Sequence, residues 1–189
     1  MKVDILAIGA HPDDVELGCG GTLAKLISEG KTIAIVDLTQ GELGTRGSNV
    51  TRAEEAATAS KILGISDRVN LKMKDGFLLN SEESQIQIVK MIRKYQPEIV
   101  FANSIDDRHP DHAKAAKLVS DACFLSGLVK IETSLENLSQ KPWRPKQIFN
   151  YIQWKHITPD FVVDISEFMF KKIEACLAYK TQFYDPDSQ

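Results

Sequence analysis

Apolar positions along the chain alternate between two periods. Residues 3–8 form a short β-rich run, and after a polar stretch Leu23, Leu26 and Ile27 fall at helical spacing in a helix expected over 18–29, ended by Gly30. The pair then recurs. A strand over 32–38 precedes a helix over 52–63, with Thr51 as N-cap and Gly64 as C-terminal stop, and a weaker strand follows over 69–73. Ser81, with Ser84 three residues on, leads into a helix through Ile86, Val89 and Ile92 that closes before Pro97. Residues 98–102 make a fourth strand, and Pro110 starts a helix carrying Ala113, Ala116 and Val119. From 126 to 145 the chain turns polar and proline-marked; strands over 147–154 and 161–165 and a helix over 166–179 are expected beyond it.

Strands alternating with helices at this spacing predict right-handed βαβ units. The fold class is therefore α/β: a Rossmann-like, doubly wound, mainly parallel sheet with helices on both faces. No repeat, low-complexity segment or long linker divides the chain, and 189 residues with 43% hydrophobic content suit a single domain, 1–189.

Charge narrows the partners. Lys+Arg 23 against Asp+Glu 26 gives a net charge of -3, with no basic excess for nucleic acid or an anionic membrane, so a small molecule is expected. No apolar run approaches the roughly 20 residues that span a bilayer. The N-terminal MKVDILAIGA, with an acidic residue inside its short apolar segment, reads as a first strand and not as a signal peptide. Cys19, Cys123 and Cys176 are odd in number and lack a C-x-x-C spacing, which suits a reducing compartment and makes the cytoplasm the expected location.

The stretch GAHPDDVELGCGG at 9–21 places a histidine and two adjacent carboxylates between the first strand and a glycine cluster. Gly18, Gly20 and Gly21 before a helix, with Asp37 closing the second strand, raise a dinucleotide reading, but G-x-G-x-x-G would need glycine where Leu23 stands. The glycines are then expected to permit close backbone approach or tight helix packing. A second stretch, DRHPDHAKAA at 107–116, echoes the first, and three of the four histidines, His11, His109 and His112, fall in the tetrapeptides HPDD and HPDH. In a sheet ordered 3-2-1-4-5 the first and fourth strands are neighbours at the switch point, so both loops open one crevice. Asp13, Asp14, Asp107 and Asp111 with the three imidazoles form an N/O donor set suited to Zn²⁺ or a similar ion, which points to a metal hydrolase. The competing reading makes Asp13 and Asp111 helix-dipole charges and the prolines mere helix starters.

These residues, with GELGTRG at 41–47 and RAEE at 52–55, resemble the LmbE/PIG-L family of zinc-dependent N-acetylglucosaminide deacetylases, the motifs occurring in family order. The resemblance implies His11, Asp14 and His112 as zinc ligands, Asp13 as general base, His109 as a cationic or hydrogen-bonding stabiliser of the reacting carbonyl with Asp111 orienting it, and Arg52 facing substrate. The leaving amine would take its proton from Asp13 or His109. Fe²⁺ or Co²⁺ would suit the same donors. HPDDVELGCGGT and the later KTQFYD at 180–185 resemble most the bacillithiol-pathway branch, which acts on N-acetylglucosaminyl-malate. Arg46, Arg52 and Arg108 would suit malate's carboxylates, against the alternative of ion pairs such as Arg52 with Glu55. Other conjugates in view are a chitin disaccharide and a mycothiol-like or glycolipid precursor; a noncatalytic sugar-binding or nucleotide-binding module is the rival outside the enzymes. The family likeness also implies a homo-oligomer, with a hexamer as its form, and a C-terminal extension beyond the KTQFYDPDSQ-like segment that this sequence is expected to lack. Cys19 has no evident base and is not expected to be a nucleophile. His156 is expected on a surface loop, and Trp143, Trp154 and Tyr151 either line a sugar pocket or pack in the core.

Overall fold

The computed structural model describes residues 1–183. Tyr184 and Asp185 of the KTQFYD motif lie outside the described residues. In chain order the elements are β1 (Ile5–Gly9), α1 (Asp14–Ser28), β2 (Ile33–Thr39), α2 (Asn49–Leu63), β3 (Asp67–Met73), α3 (Glu82–Tyr95), β4 (Ile99–Ala102), α4 (Pro110–Leu125), β5 (Ser134–Leu135), β6 (Leu138–Ser139), β7 (Gln147–Asn150), a 3-10 turn (Ser166–Phe168), α5 (Met169–Leu177) and α6 (Lys180–Phe183).

The main sheet runs β3-β2-β1-β4-β7 with every pairing parallel, which is the expected order with β7 in fifth place. Strands β1 and β2 are buried along their whole length, as the centre of a sheet covered on both faces requires. Alternation then sorts their side chains. Leu6 and Ile8 with Ala34 and Val36 pack against Ile88, Ile92, Leu118 and Val119 of α3 and α4, while Ile5 and Ala7 with Ile33 and Ile35 face Val15, Cys19 and Leu23 of α1. Helices α2 and α5 extend that second layer through Ala59, Leu63 and Ala175, joined by Tyr179 just beyond α5.

Several expected elements change, among them the strand over 147–154, which stops at Asn150, and the helix over 166–179, which is a 3-10 turn followed by α5. Helix α1 begins at Asp14 rather than at 18, so Gly18, Gly20 and Gly21 lie in its middle rather than at its start: a Cβ on Gly18 would run into the Tyr151 ring and one on Gly21 into Ile165. Close packing, the plain reading of those glycines, is what they provide. Helix α2 starts three residues before Arg52 because Ser48, not Thr51, is its cap, the Ser48 side chain accepting from Thr51 N at 3.2 Å. Residues 161–165 form no strand. The sheet edge belongs to β7, and 161–165 cross α1 instead, where Lys25 Nζ donates to Asp164 O at 3.1 Å. Among the described residues no helix is long and apolar enough to cross a membrane.

Candidate active site

Ala7 of β1 lies opposite Phe101 of β4, and the chain beyond each strand turns into the same crevice at the C-terminal edge of the sheet. Ala10 N donates to Asn103 Oδ1 at 2.8 Å, which stitches the two loops together at their roots. Asp14, the first residue of α1, stands at the centre. Its Oδ2 accepts from His11 N at 2.9 Å and Asn103 Nδ2 at 3.0 Å, its Oδ1 accepts from Gln153 Nε2 at 2.6 Å, and two imidazole nitrogens face it: His11 Nδ1 at 3.4 Å and His112 Nε2 at 3.2 Å. The HPDD and HPDH loops therefore converge as their spacing implied.

The far nitrogen of each ring meets another carboxylate. His11 Nε2 lies 2.9 Å from Asp75 Oδ1 and 3.7 Å from Asp111 Oδ2, and His112 Nδ1 lies 3.3 Å from Asp107 Oδ1 without a hydrogen bond. Burial alone would keep His11 neutral, but Asp111, Asp14 and Asp75 overcome it and push its pKa up to about 12. Burial likewise opposes ionisation of Asp14, yet His11 and His112 hold its carboxyl well below the usual range. So dense a set of buried carboxylates calls for positive charge. The sets His11, His109, His112 and His11, Asp75, Asp111 each bring ligand atoms within 4.8 Å of one another. With carboxylates behind both rings and Asp14 before them, the residues fit a divalent ion with N/O preference.

Asp13 precedes the helix at φ 113°, a left-handed conformation rare for any residue but glycine. Burial, then Asp14 beside it, raise its carboxyl pKa, with Arg52 and His11 opposing. Arg52 Nη2 donates to Pro12 O at 2.6 Å and to Asp13 Oδ2 at 3.2 Å, and its Nε is buried without a partner. A Cβ on Gly41, at φ 64°, would come within 2.9 Å of the Arg52 guanidinium carbon, so the GELGTRG loop is glycine there to lie flat over this side chain. Glu55, the rival partner for Arg52, accepts instead from Thr181 N and Oγ1, both at 2.8 Å.

His109 is the N-cap of α4, and its Nδ1 accepts from Asp111 N at 3.2 Å, which leaves Nε2 as the N–H donor. Burial and the neighbouring His11 and His112 lower its pKa, which favours the hydrogen-bonding form of the expected stabiliser over the cationic one. The role given to the Asp111 carboxylate also changes. It accepts from Gly76 N at 2.7 Å and Leu78 N at 3.3 Å and faces His11; only its backbone amide touches His109.

A pocket of about 380 Å³ opens over these groups, lined among others by Asp13, Leu43, Arg52, Arg108, His109 and Trp154. Arg108 stacks its guanidinium 4.3 Å from the centre of the Trp154 ring, which is 67% exposed. Arg46 is not in this wall; its Nη2 donates to Gln182 O at 3.0 Å at the outer edge of the loop. Of the other aromatics, Tyr151 is buried with its hydroxyl donating to Ile8 O at 3.1 Å, and Trp143 donates to Pro97 O at 2.7 Å, so both serve packing. Cys19 is buried in the core and its thiol pKa is pushed up by that burial, as an inert thiol's would be. His156 is exposed. Asp37, once a candidate ribose acid, is engaged by Arg68 through two bonds of 2.7 Å.

Asp75, Asn103 and Gln153 are site residues that the sequence reading does not single out. Asn103 had a faint signal, standing just after the fourth strand at the crevice; Asp75 and Gln153 sit in loops without any pattern of their own.

Comparison with known proteins agrees with this geometry. The chain is 32% identical over 189 residues to a diacetylchitobiose deacetylase from Thermococcus kodakarensis, covering 95% of this chain and 70% of that one. An uncharacterized deacetylase, YaiS, of Escherichia coli (strain K12) is 37% identical over 161 residues, 82% of this chain and 84% of its own length. The crystal structure of the conserved protein TT1542 from Thermus thermophilus superposes with a TM-score of 0.89 at 41% identity, over 96% of this chain and 80% of that one. The family model described as PIG-L, GlcNAc-PI de-N-acetylase, matches residues 6–123, which span the crevice from β1 through both histidine motifs, and the chain belongs to that family.

Proposed function

We propose that the protein is a metal-dependent N-deacetylase that hydrolyses the acetamide of an N-acetylglucosamine conjugate. The observation that carries this reading is the meeting of His11 Nδ1 and His112 Nε2 at the two oxygens of Asp14, at 3.4 and 3.2 Å, with Asp13 beside them in the pocket. His11, Asp14 and His112 would hold the ion, Zn²⁺ in the first instance, with Fe²⁺ or Co²⁺ suited to the same donors. Bound there, such an ion supplies Lewis-acid polarisation of the amide carbonyl and an acidified water. Asp13 takes the proton of the attacking water, held in place by Arg52 and by its own backbone. His109 Nε2–H donates to the carbonyl oxygen as charge gathers on it, and removal of such a donor typically costs about 10²- to 10³-fold in rate. Asp13, once protonated, is placed to return the proton to the departing amine.

The substrate's second half meets Arg108 and Trp154. A malate group would favour several free guanidinium groups, but Arg46 lies outside the wall and Arg52 is engaged by Asp13 and Pro12. The exposed Trp154 face suits a second sugar ring, and the relative at 32% identity is a diacetylchitobiose deacetylase. A sugar disaccharide is therefore the preferred reading over N-acetylglucosaminyl-malate. Free-amine release from diacetylchitobiose, N-acetylglucosaminyl-malate and plain N-acetylglucosamine by metal-stripped protein restored with Zn²⁺ tests both levels. Zinc-restored release that is fastest with the disaccharide is expected; preference for the malate conjugate would reverse the substrate reading, and release from none would overturn the deacetylase reading for this class.

A further inference from the structure

Asp75 and the loop at 41–44 grip each other at both ends. Asp75 N donates to Glu42 Oε1 at 2.9 Å, and Leu43 N donates back to Asp75 Oδ2 at 2.8 Å. The remaining oxygen, Oδ1, sits 2.9 Å from His11 Nε2. Next along the chain, Gly76 takes up φ 73° and its amide donates to Asp111 Oδ2 at 2.7 Å. The buried Asp75 carboxylate is thus tied to the loop after β2 and to His11 after β1, while the next residue, Gly76, ties the chain to the start of α4. Neither Asp75 nor Glu42 belongs to a histidine motif.

We infer that Asp75 is a positioning residue for His11, and that the GELG loop holds Asp75 to that task through Glu42 and Leu43. The inference rests on the metal-site reading above and deepens it. Beside a bound divalent ion the His11 ring would be neutral and carry one proton. A carboxylate against Nε2 keeps the proton on that nitrogen, aims the Nδ1 lone pair at the point Asp14 faces, and makes that lone pair a stronger donor. Glu42 acts one step further out, fixing the backbone from which Asp75 reaches. Since Leu43 and Gly44 also line the pocket, the loop that borders the substrate is the loop that sets the His11 ring.

The test strips the whole protein of metal and measures Zn²⁺ affinity by competition with a chromophoric chelator, together with the visible spectrum of the Co²⁺-loaded form. Asp75→Asn keeps the shape but must present an N–H to either His11 or Leu43, both of which donate. It is expected to weaken Zn²⁺ binding by about 10- to 100-fold and to shift the Co²⁺ bands, whereas a purely structural Asp75 would move neither. Glu42→Ala, which does not touch His11, is expected to weaken binding in the same direction by a smaller factor. Wild-type zinc affinity in a folded Asp75→Asn protein overturns the inference and leaves the metal site standing. Failure of the wild-type chain itself to bind Zn²⁺ overturns the metal-site reading and this one with it. Should Asp75→Asn not fold, Glu42→Ala decides: unchanged affinity overturns the inference, and a loss upholds it.

Discussion

Asp13 combines two burdens in one residue, a carboxylate buried beside another and a backbone at φ 113°. Such conformations cost of order 1–3 kcal/mol in a non-glycine residue and persist where the surroundings enforce them. Asp13→Gly and Asp13→Ala both delete the carboxylate and its bond to Arg52, so they differ chiefly in backbone freedom. Glycine is expected to be the more stable by about 1 kcal/mol in urea unfolding, while both variants lose about 10²- to 10⁴-fold in turnover and keep their metal. Equal stability of the two would refute the strain; wild-type turnover would refute the base. At this scale the sequence was most informative where chemistry is concentrated. HPDD and HPDH bring their histidines and carboxylates as short units, and strand order alone makes the units meet. Asp75 was illegible because its partnership with His11 joins residues 64 apart, with no spacing to mark it. Arg46 misled for the converse reason: proximity in sequence to a motif does not say which way a flexible side chain leaves its loop.

Helix α1 shows how an element carries information that a residue pattern lacks. Glycine inside a helix ordinarily costs about 0.5–1 kcal/mol relative to alanine. The three glycines of α1 nevertheless differ in what surrounds them. A Cβ at Gly20 would find its nearest neighbour, Lys172 Cγ, at 3.7 Å, an ordinary contact, whereas at Gly18 it would overlap the Tyr151 ring. Gly20→Ala is therefore expected to raise stability by about 0.5–1 kcal/mol, and Gly18→Ala to lower it by about 1–3 kcal/mol through forced displacement of Tyr151. Thermal melts of the two variants check the pair, and a gain in both would show that α1 does not pack as described. The helix expected over 18–29 already contained these glycines; what the sequence did not mark is that it starts at Asp14, nor which of the glycines meets a ring. Residues 161–165 were misread for a related reason. FVVDI has strand-like composition, yet a strand needs a pairing partner, and this segment packs against α1 instead, with Asp164 O accepting from Lys25 and Ile165 lying against Gly21.

Across the whole molecule, one buried ionic cluster joins both halves of the chain. Arg68 on β3 engages Glu16 of α1 and Asp37 of β2, and Tyr179, just beyond α5, donates to Glu16 at 3.1 Å. Arg68→Met leaves two carboxylates without their cation, a loss expected to destabilise by about 3–5 kcal/mol at neutral pH. The sign with pH follows from Asp37, whose pKa burial already raises and Arg68 restrains. Without Arg68 it rises further, so the folded variant binds protons that the unfolded chain releases, and the penalty should shrink as pH falls toward the carboxylate range. Urea unfolding of both proteins at pH 7 and pH 5 measures this; a penalty that is constant or grows on acidification would refute the assignment. The doubly wound plan was legible because it depends on period and spacing, whereas this cluster was not, since its partners come from four separate segments. The same first turn of α1 has a wider consequence. In nucleotide-binding relatives of this architecture a helix start receives a phosphate, drawn by its dipole and free amides. Here the chain supplies that anion itself, in Asp14. That carboxylate, with Asp13 beside it, gives this helix start the opposite polarity, so the metal-stripped protein should hold free phosphate poorly, and phosphate should become an inhibitor only once a divalent ion is loaded.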